Sequence, residues 1–188
     1  MSNWGKCWTQ EQIDRIRAKA RQKRDAKRAA GQFSTIKRKP LRKSPRPGTT
    51  KYAKKEAWDA FSRFIRLRDC LKTTKTPTAG RCVTCNRSYP FTKLQAGHWL
   101  PGRRNSVLFD ERGVAAQCVG CNMWGRGQQA EFEEYMRREY GEEVMSEIRE
   151  ANKTGCRFTL GELEDMRRDY QAKYAALLVK AAKERATR

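Results

Sequence analysis

Residues Cys82 to Gly127 read CVTCNRSYPFTKLQAGHWLPGRRNSVLFDERGVAAQCVGCNMWGRG, and this stretch decides the fold. It carries two Cys-x-x-Cys pairs, Cys82/Cys85 and Cys118/Cys121, with 32 residues between them; the only histidine of the chain, His98, lies in that interval. A Cys-x-x-Cys turn aims two sulfurs at one point, and two such turns complete a tetrahedral thiolate cage for zinc. The competing reading is a pair of disulfides or free buried thiols. Paired knuckles at this separation, without a secretory context, favour zinc. Zinc held by four thiolates is coordinatively closed, so it braces a fold and performs no chemistry. Any reaction falls to the residues between the knuckles.

Outward from this stretch, 188 residues leave room for one modest domain with appendages. Hydrophobic content is 38% and mean hydropathy −0.95, so only part of the chain can bury a core. Neither a signal-peptide core nor an apolar run near 18 residues is visible, which argues against export and membrane insertion. Cysteine usage then suits a reducing cytosol. Cys7, Cys70 and Cys156 fall outside the knuckles and read as ordinary thiols.

The net charge of +21 calls for a polyanionic partner. Residues 15–55 hold 17 Lys/Arg against Asp25 alone, whereas residues 128–188 hold 12 against 13 acids. The positive charge is therefore concentrated ahead of the knuckles. Two segments follow: 1–50 as a basic arm, and 51–188 as the folded domain. Within the arm, Trp4 and Trp8 carry no assignable role. Thr9 to Ala30 predicts a cationic helix opened by a Thr9/Gln12 capping box and closed by Gly31. Residues 33–50, with three prolines, predict an extended linker whose Lys37, Arg38, Lys39, Arg42 and Lys43 can lie along a DNA backbone.

Tyr52–Leu71 recovers helical periodicity through Ala57, Phe61, Phe64 or Ile65 and Arg68. Tyr89-Pro90-Phe91 and Leu94–Leu100 predict short strand-like pieces forming a hairpin with His98 near its end, and Val107–Phe109 a second short strand. Helices are expected over Glu131–Tyr140, stopped at Gly141, then over Glu142–Ala151. A last helix follows a Thr159/Glu162 capping box, its stripe of Leu163, Met166, Tyr170, Tyr174, Leu177 and Leu178 read as a core face rather than a dimer seam.

Gly97-His98-Trp99-Leu100-Pro101, followed by Gln117-Cys118-Val119-Gly120-Cys121-Asn122, resembles a zinc-bearing HNH (ββα-metal, treble-clef) nuclease. More narrowly the chain resembles the phage lambda NinG (Rap) family of recombination endonucleases, over about residues 56–178. The match rests on the first knuckle, Ala96-Gly97-His98, Phe109-Asp110-Glu111-Arg112, the second knuckle with Asn122, and the helical tail. The resemblance implies an α+β fold, a small zinc-stabilised ββα module embedded among helices. It also implies metal-dependent cutting of branched DNA such as Holliday junctions, in the cytoplasm of a bacterial host. The alternative is a zinc-stabilised DNA-binding accessory that does not cut. Resolving a junction takes two incisions, which makes a homodimer attractive.

In the resemblance His98 takes the general-base position and Asn122 the last ligand position for Mg2+ or Mn2+. On the residues alone, His98 could instead pack in the hairpin, and Asn122 could cap a helix. The chain departs from its relatives at Gly97, Gly113 and Ala115, where ligand side chains are expected. Asp110, or Glu111 beside it, is the nearest carboxylate to compensate. Arg103, Arg104, Arg112 and Arg126 flank the site and suit phosphate oxygens, which position DNA without reading its sequence.

Overall fold

The computed structural model describes residues 10–30 and 45–186. Cys7, Trp4, Trp8, the Thr9 cap, Gly31 and the linker cations Lys37, Arg38, Lys39, Arg42 and Lys43 lie outside those residues. The chain divides between Lys43 and Ser44 into two compact units. The first contains α1, Gln10–Ala29. Its Ala, Arg, Lys and Gln content is that of strong helix formers, and its described side chains are all exposed, giving a cationic rod.

In the second unit α2 spans Thr50–Thr74. The Thr49 hydroxyl accepts from the Tyr52 amide at 3.2 Å, and Lys75 in the left-handed region closes the other end. Ala57, Phe61, Phe64 and Ile65 are buried along it, and α4 (Leu160–Ala186) packs Tyr170, Met166, Tyr174 and Leu177 against that core. Each large side chain so buried contributes about 1.5–3 kcal/mol. The expected stripe is thus an internal core face, with Leu178 left at the surface. The expected capping box forms in full: the Glu162 amide donates to the Thr159 hydroxyl at 3.3 Å, and the Thr159 amide to the Glu162 carboxylate at 2.7 Å.

Two antiparallel ribbons fill the middle of the unit. The first pairs β1 (Ala79–Arg81) with β2 (Ser88–Pro90) and carries the first knuckle at its turn. The second pairs β3 (Leu94–His98) with β4 (Val114–Cys118), in register from Leu94↔Cys118 to His98↔Val114. Here the structure corrects the sequence reading: Tyr89-Pro90-Phe91 forms no hairpin with Leu94–Leu100, because Ser88–Pro90 pairs with β1 and the partner of β3 is Val114–Cys118; nor is Val107–Phe109 a strand. Residues Asn105–Val107 form a 3-10 turn. Val107 and Phe109 alternate not for pairing but to plug two cores, Val107 against Trp99 and Phe109 against Phe61 and Phe158. β4 is buried at all five positions. A strand covered on both faces loses the polar alternation by which sequence reveals strands.

A π-helical turn, Gly120–Trp124, follows the second knuckle. α3 then runs Gln129–Ala151 with non-helical backbone at Gly141 (φ 77°, ψ 169°), so the two expected helices are present and are separated at Gly141, as the sequence predicts. Phe132, Met136, Met145 and Ile148 cover the second ribbon with Trp99, Val107 and Ala115. One buried ionic network joins α2 to β4. The Asp69 carboxylate accepts from the Ala116 amide at 2.7 Å and from Arg68 at 2.8 Å, while Arg68 donates to the Glu111 and Val114 carbonyls. Arg68, a cation on an apolar helical stripe, was the sequence signal for this network.

Candidate functional site

The first knuckle turns back on itself through the Cys82 amide to the Arg87 carbonyl and the Asn86 amide to the Cys82 carbonyl, both 2.9 Å, with Asn86 in the left-handed region. The Val83 amide pins this turn to the Ala116 carbonyl of β4 at 2.8 Å. β4 delivers Cys118, and the following turn delivers Cys121. All four sulfurs consequently lie within 4.8 Å of one another. A tetrahedral zinc–thiolate centre with bonds of about 2.3 Å has sulfur–sulfur edges of roughly 3.8 Å, so small adjustments close the cage.

The surroundings of Cys82 suit a thiolate, whereas burial pushes the Cys121 thiol up to about 12. The Cys118 amide donates to the Cys82 sulfur at 3.3 Å, and the Cys121 amide to the Cys118 sulfur at 3.4 Å. Burial alone pushes the Cys82 thiol up, but hydrogen bonds from the Thr84 hydroxyl and from the Cys118, Cys85 and Thr84 amides overcome it and bring it down to about 6. The four cysteines fit a structural metal such as zinc.

His98 closes β3. Its ring lies flat on Trp58 of α2, centroids 4.9 Å apart and planes 17° apart. Its Nε2 is 3.0 Å from the Leu108 carbonyl oxygen, an acceptor only, so Nε2 carries the proton and Nδ1 the lone pair. Burial, then the nearby Arg103 guanidinium, push the imidazole down to about 4, against the opposing pull of the Leu108 bond. The ring is therefore neutral at physiological pH.

That shift has a stability consequence. His98 titrates lower in the folded chain than in the unfolded one, so its contribution is whole above pH 6.5 and drains away as pH falls toward 4. Between pH 7 and pH 5 the folded state should lose about 2 kcal/mol through this group. Urea titrations of wild type and His98→Ala at the two pH values measure it: the variant's loss should be smaller by that amount, and equal losses would refute the burial effect.

Regular β3–β4 pairing fixes which residues meet. Leu94, Ala96 and His98 face α2; Gln95 and Gly97 face the other way, beside Gln117 and Ala115. Asn122 belongs to that second face, its amide nitrogen donating to the Gln95 side-chain oxygen at 2.7 Å. His98 and Asn122 thus occupy opposite faces and opposite ends of the ribbon. Asp110 is engaged elsewhere, receiving the Arg112 guanidinium at 2.9 and 3.1 Å and the Arg112 amide at 3.0 Å. His98 and Asn122 therefore do not converge on one point, and the Asp110 carboxylate is already engaged by Arg112.

Gly97 has a local explanation. A Cβ there would overlap the side-chain amide of Gln117, which is fully buried and donates to the Gly127 carbonyl at 2.8 Å. The glutamine fills the space a ligand at position 97 would need. Gly97→Ala should therefore cost about 1–3 kcal/mol in urea denaturation; an unchanged midpoint would show that the amide moves aside freely. Gln95 was not singled out in sequence, and Gln117 entered only as part of the second-knuckle motif with no role of its own, because polar residues in strands read as surface.

Of the flanking arginines, Arg104 donates its guanidinium to the Lys153 carbonyl and its backbone amide to the Asn152 side-chain oxygen, and Arg112 is paired with Asp110 and Glu147. Arg103 and Arg126 make no ion pair among the described residues, which leaves their guanidiniums open to phosphate. A cleft of about 700 Å³ lies apart from His98, between the end of α2, the first knuckle and α3, and mixes Lys72, Arg81 and Arg138 with Glu131 and Glu134.

Fold and site together define a small α+β protein built around four clustered cysteines that could hold a structural metal. Residues 3–180 match the family model described as Bacteriophage Lambda NinG protein, and the chain belongs to that family. It is 30% identical over 120 residues to Protein ninG of Escherichia phage 933W and of Enterobacteria phage VT2-Sa, covering 63% of this chain and 55% of each relative. Protein ninG of Escherichia phage lambda is 29% identical over 120 residues, covering 63% and 54%. The matches span about half the length of these relatives. No solved structure matches the chain. Among the described residues, no helix is long and apolar enough to cross a membrane.

Proposed function

We propose that the protein is an endonuclease acting on branched DNA during phage recombination, in the cytoplasm of the bacterial host. The observation that carries the reading is His98: a neutral imidazole whose Nε2 is occupied by the Leu108 carbonyl, leaving Nδ1 as the one basic nitrogen. The negative charge of a bound phosphodiester offsets the burial that holds the free ring at about 4. Nδ1 then takes a proton from water, the resulting hydroxide attacks phosphorus, and the phosphorus–oxygen bond to the leaving sugar breaks as that oxygen takes a proton from the imidazolium or from water. Arg103, close enough to depress His98, is suited to the charge that grows on the phosphoryl oxygens. Structural zinc plays no part in these steps.

Magnesium or manganese remains the expected helper for such chemistry. His98 and Asn122 do not gather around a common point and Asp110 is engaged by Arg112, so no step is assigned to that ion.

The same dispersal favours a second reading, a zinc-braced DNA-binding accessory without cleavage, in which Gly97, Asn122 and Asp110 serve packing alone. Incision separates the two. Nicked product from a labelled four-way junction in magnesium or manganese supports the nuclease; tight binding with intact DNA supports the accessory.

The cationic first unit is the proposed DNA tether. Deleting residues 1–43 spares the Thr49 cap of α2, and it should weaken DNA binding and flatten its salt dependence. For every phosphate that the shortened chain no longer neutralises, the log–log slope should fall by about 0.9. An unchanged slope would show that the arm does not touch DNA.

A further inference from the structure

Trp124 is 82% exposed and Met123 beside it 61%, the two most exposed large apolar side chains among the described residues. An indole carries roughly 150–250 Å² of surface that a folded chain ordinarily hides. Trp58 and Trp99, the other described tryptophans, follow that rule: Trp58 stacks on His98, and Trp99 is buried.

The backbone beneath Trp124 is held on every side. Cys121 belongs to the four-cysteine cluster. Asn122 is tied to Gln95, whose amide nitrogen also reaches the Met123 sulfur at 3.6 Å. The Gly125 amide donates to the Gly120 carbonyl at 2.8 Å, and the Gly127 amide to the Cys121 carbonyl at 2.9 Å. A hydrogen-bonded turn thus displays a flat aromatic ring to solvent. Beside it stands Arg126, exposed, with φ of 52°. That conformation suits glycine or asparagine better than arginine. Its guanidinium makes no ion pair among the described residues.

We propose that Trp124, backed by Met123, is a stacking wedge that seats against base faces laid open at a DNA branch, while Arg126 grips the adjoining phosphate. The proposal rests on the branched-DNA reading above and names how the branch is recognised. In linear duplex every base face is covered by its neighbours, whereas at a crossover stacking is interrupted and faces become available. Aromatic stacking on a base is tolerant of sequence, as recognition of a branch requires. The unit that bears the patch, residues 44–188, itself carries 28 Lys/Arg against 18 acids, which selects a polyanion over an apolar protein surface as the occupant.

The test is anisotropy of a labelled four-way junction and a matched linear duplex, without added divalent ion, so that binding is read apart from cutting. Trp124→Ala should lose about tenfold on the junction and less than about twofold on the duplex, and Trp124→Phe should recover most of the loss. Zinc content and melting temperature should match wild type, since most of the side chain already lies in solvent. Equal losses on both substrates, no loss on the junction, or a wild type without junction preference would each overturn the wedge. So would a dimer-to-monomer shift in sedimentation with DNA affinity intact, which would make the patch a contact between copies. A wedge effect in a protein that never cuts DNA would uphold this inference while ending the nuclease reading.

Discussion

Replacing Cys118 by serine should abolish zinc binding and, with it, the cooperative melting of residues 45–186. Structural zinc in small sites contributes about 10–16 kcal/mol of apparent binding free energy, against about 5–15 kcal/mol of net stability for a typical domain. The first ribbon has only three residue pairs and relies on the knuckle at its turn. The second ribbon ends at Cys118, and the turn beyond Cys121 opens onto α3. Loss of one thiolate therefore releases three elements at once. Calorimetry with metal analysis reads this directly: a chain that still melts cooperatively without metal would show that the α2–α4 core suffices.

The second large effect concerns His98. A positioned general base accelerates proton transfer by about 10²–10⁴-fold, so His98→Ala should lower the junction cleavage rate by that factor and leave junction affinity nearly unchanged. His98→Ala also removes the ring stacked on Trp58, so melting must be measured alongside. A fall in rate without a fall in binding marks chemistry; parallel loss of rate, binding and melting temperature marks packing. Retention of full rate would leave His98 no catalytic role.

How much of this was readable from residues alone varies with the kind of signal. The cysteine cage was legible because Cys-x-x-Cys fixes local geometry whatever surrounds it. The α2 and α4 stripes were legible from periods of three and four, and Thr159-Glu162 from a four-residue cap. The partner strand of β3 was not, because Val114–Cys118 is buried on both faces and shows no alternation. Nor was the dispersal of the candidate catalytic set. The parity that puts Gln95 and Gly97 on one face of the ribbon and His98 on the other depends on strand register. The commitment of Asp110 to Arg112 is a side-chain choice that spacing does not dictate. Gly97 read as a missing ligand; in the structure it is the space taken by Gln117.

The central claim is that this chain cuts DNA and prefers a branch. Its most direct measurement is a single reaction holding a labelled four-way junction and a linear duplex of the same sequence, with magnesium or manganese present. The account predicts incision near the branch, with the duplex left largely intact over the same interval. Both substrates remaining whole, or both being cut at equal rates, would contradict it.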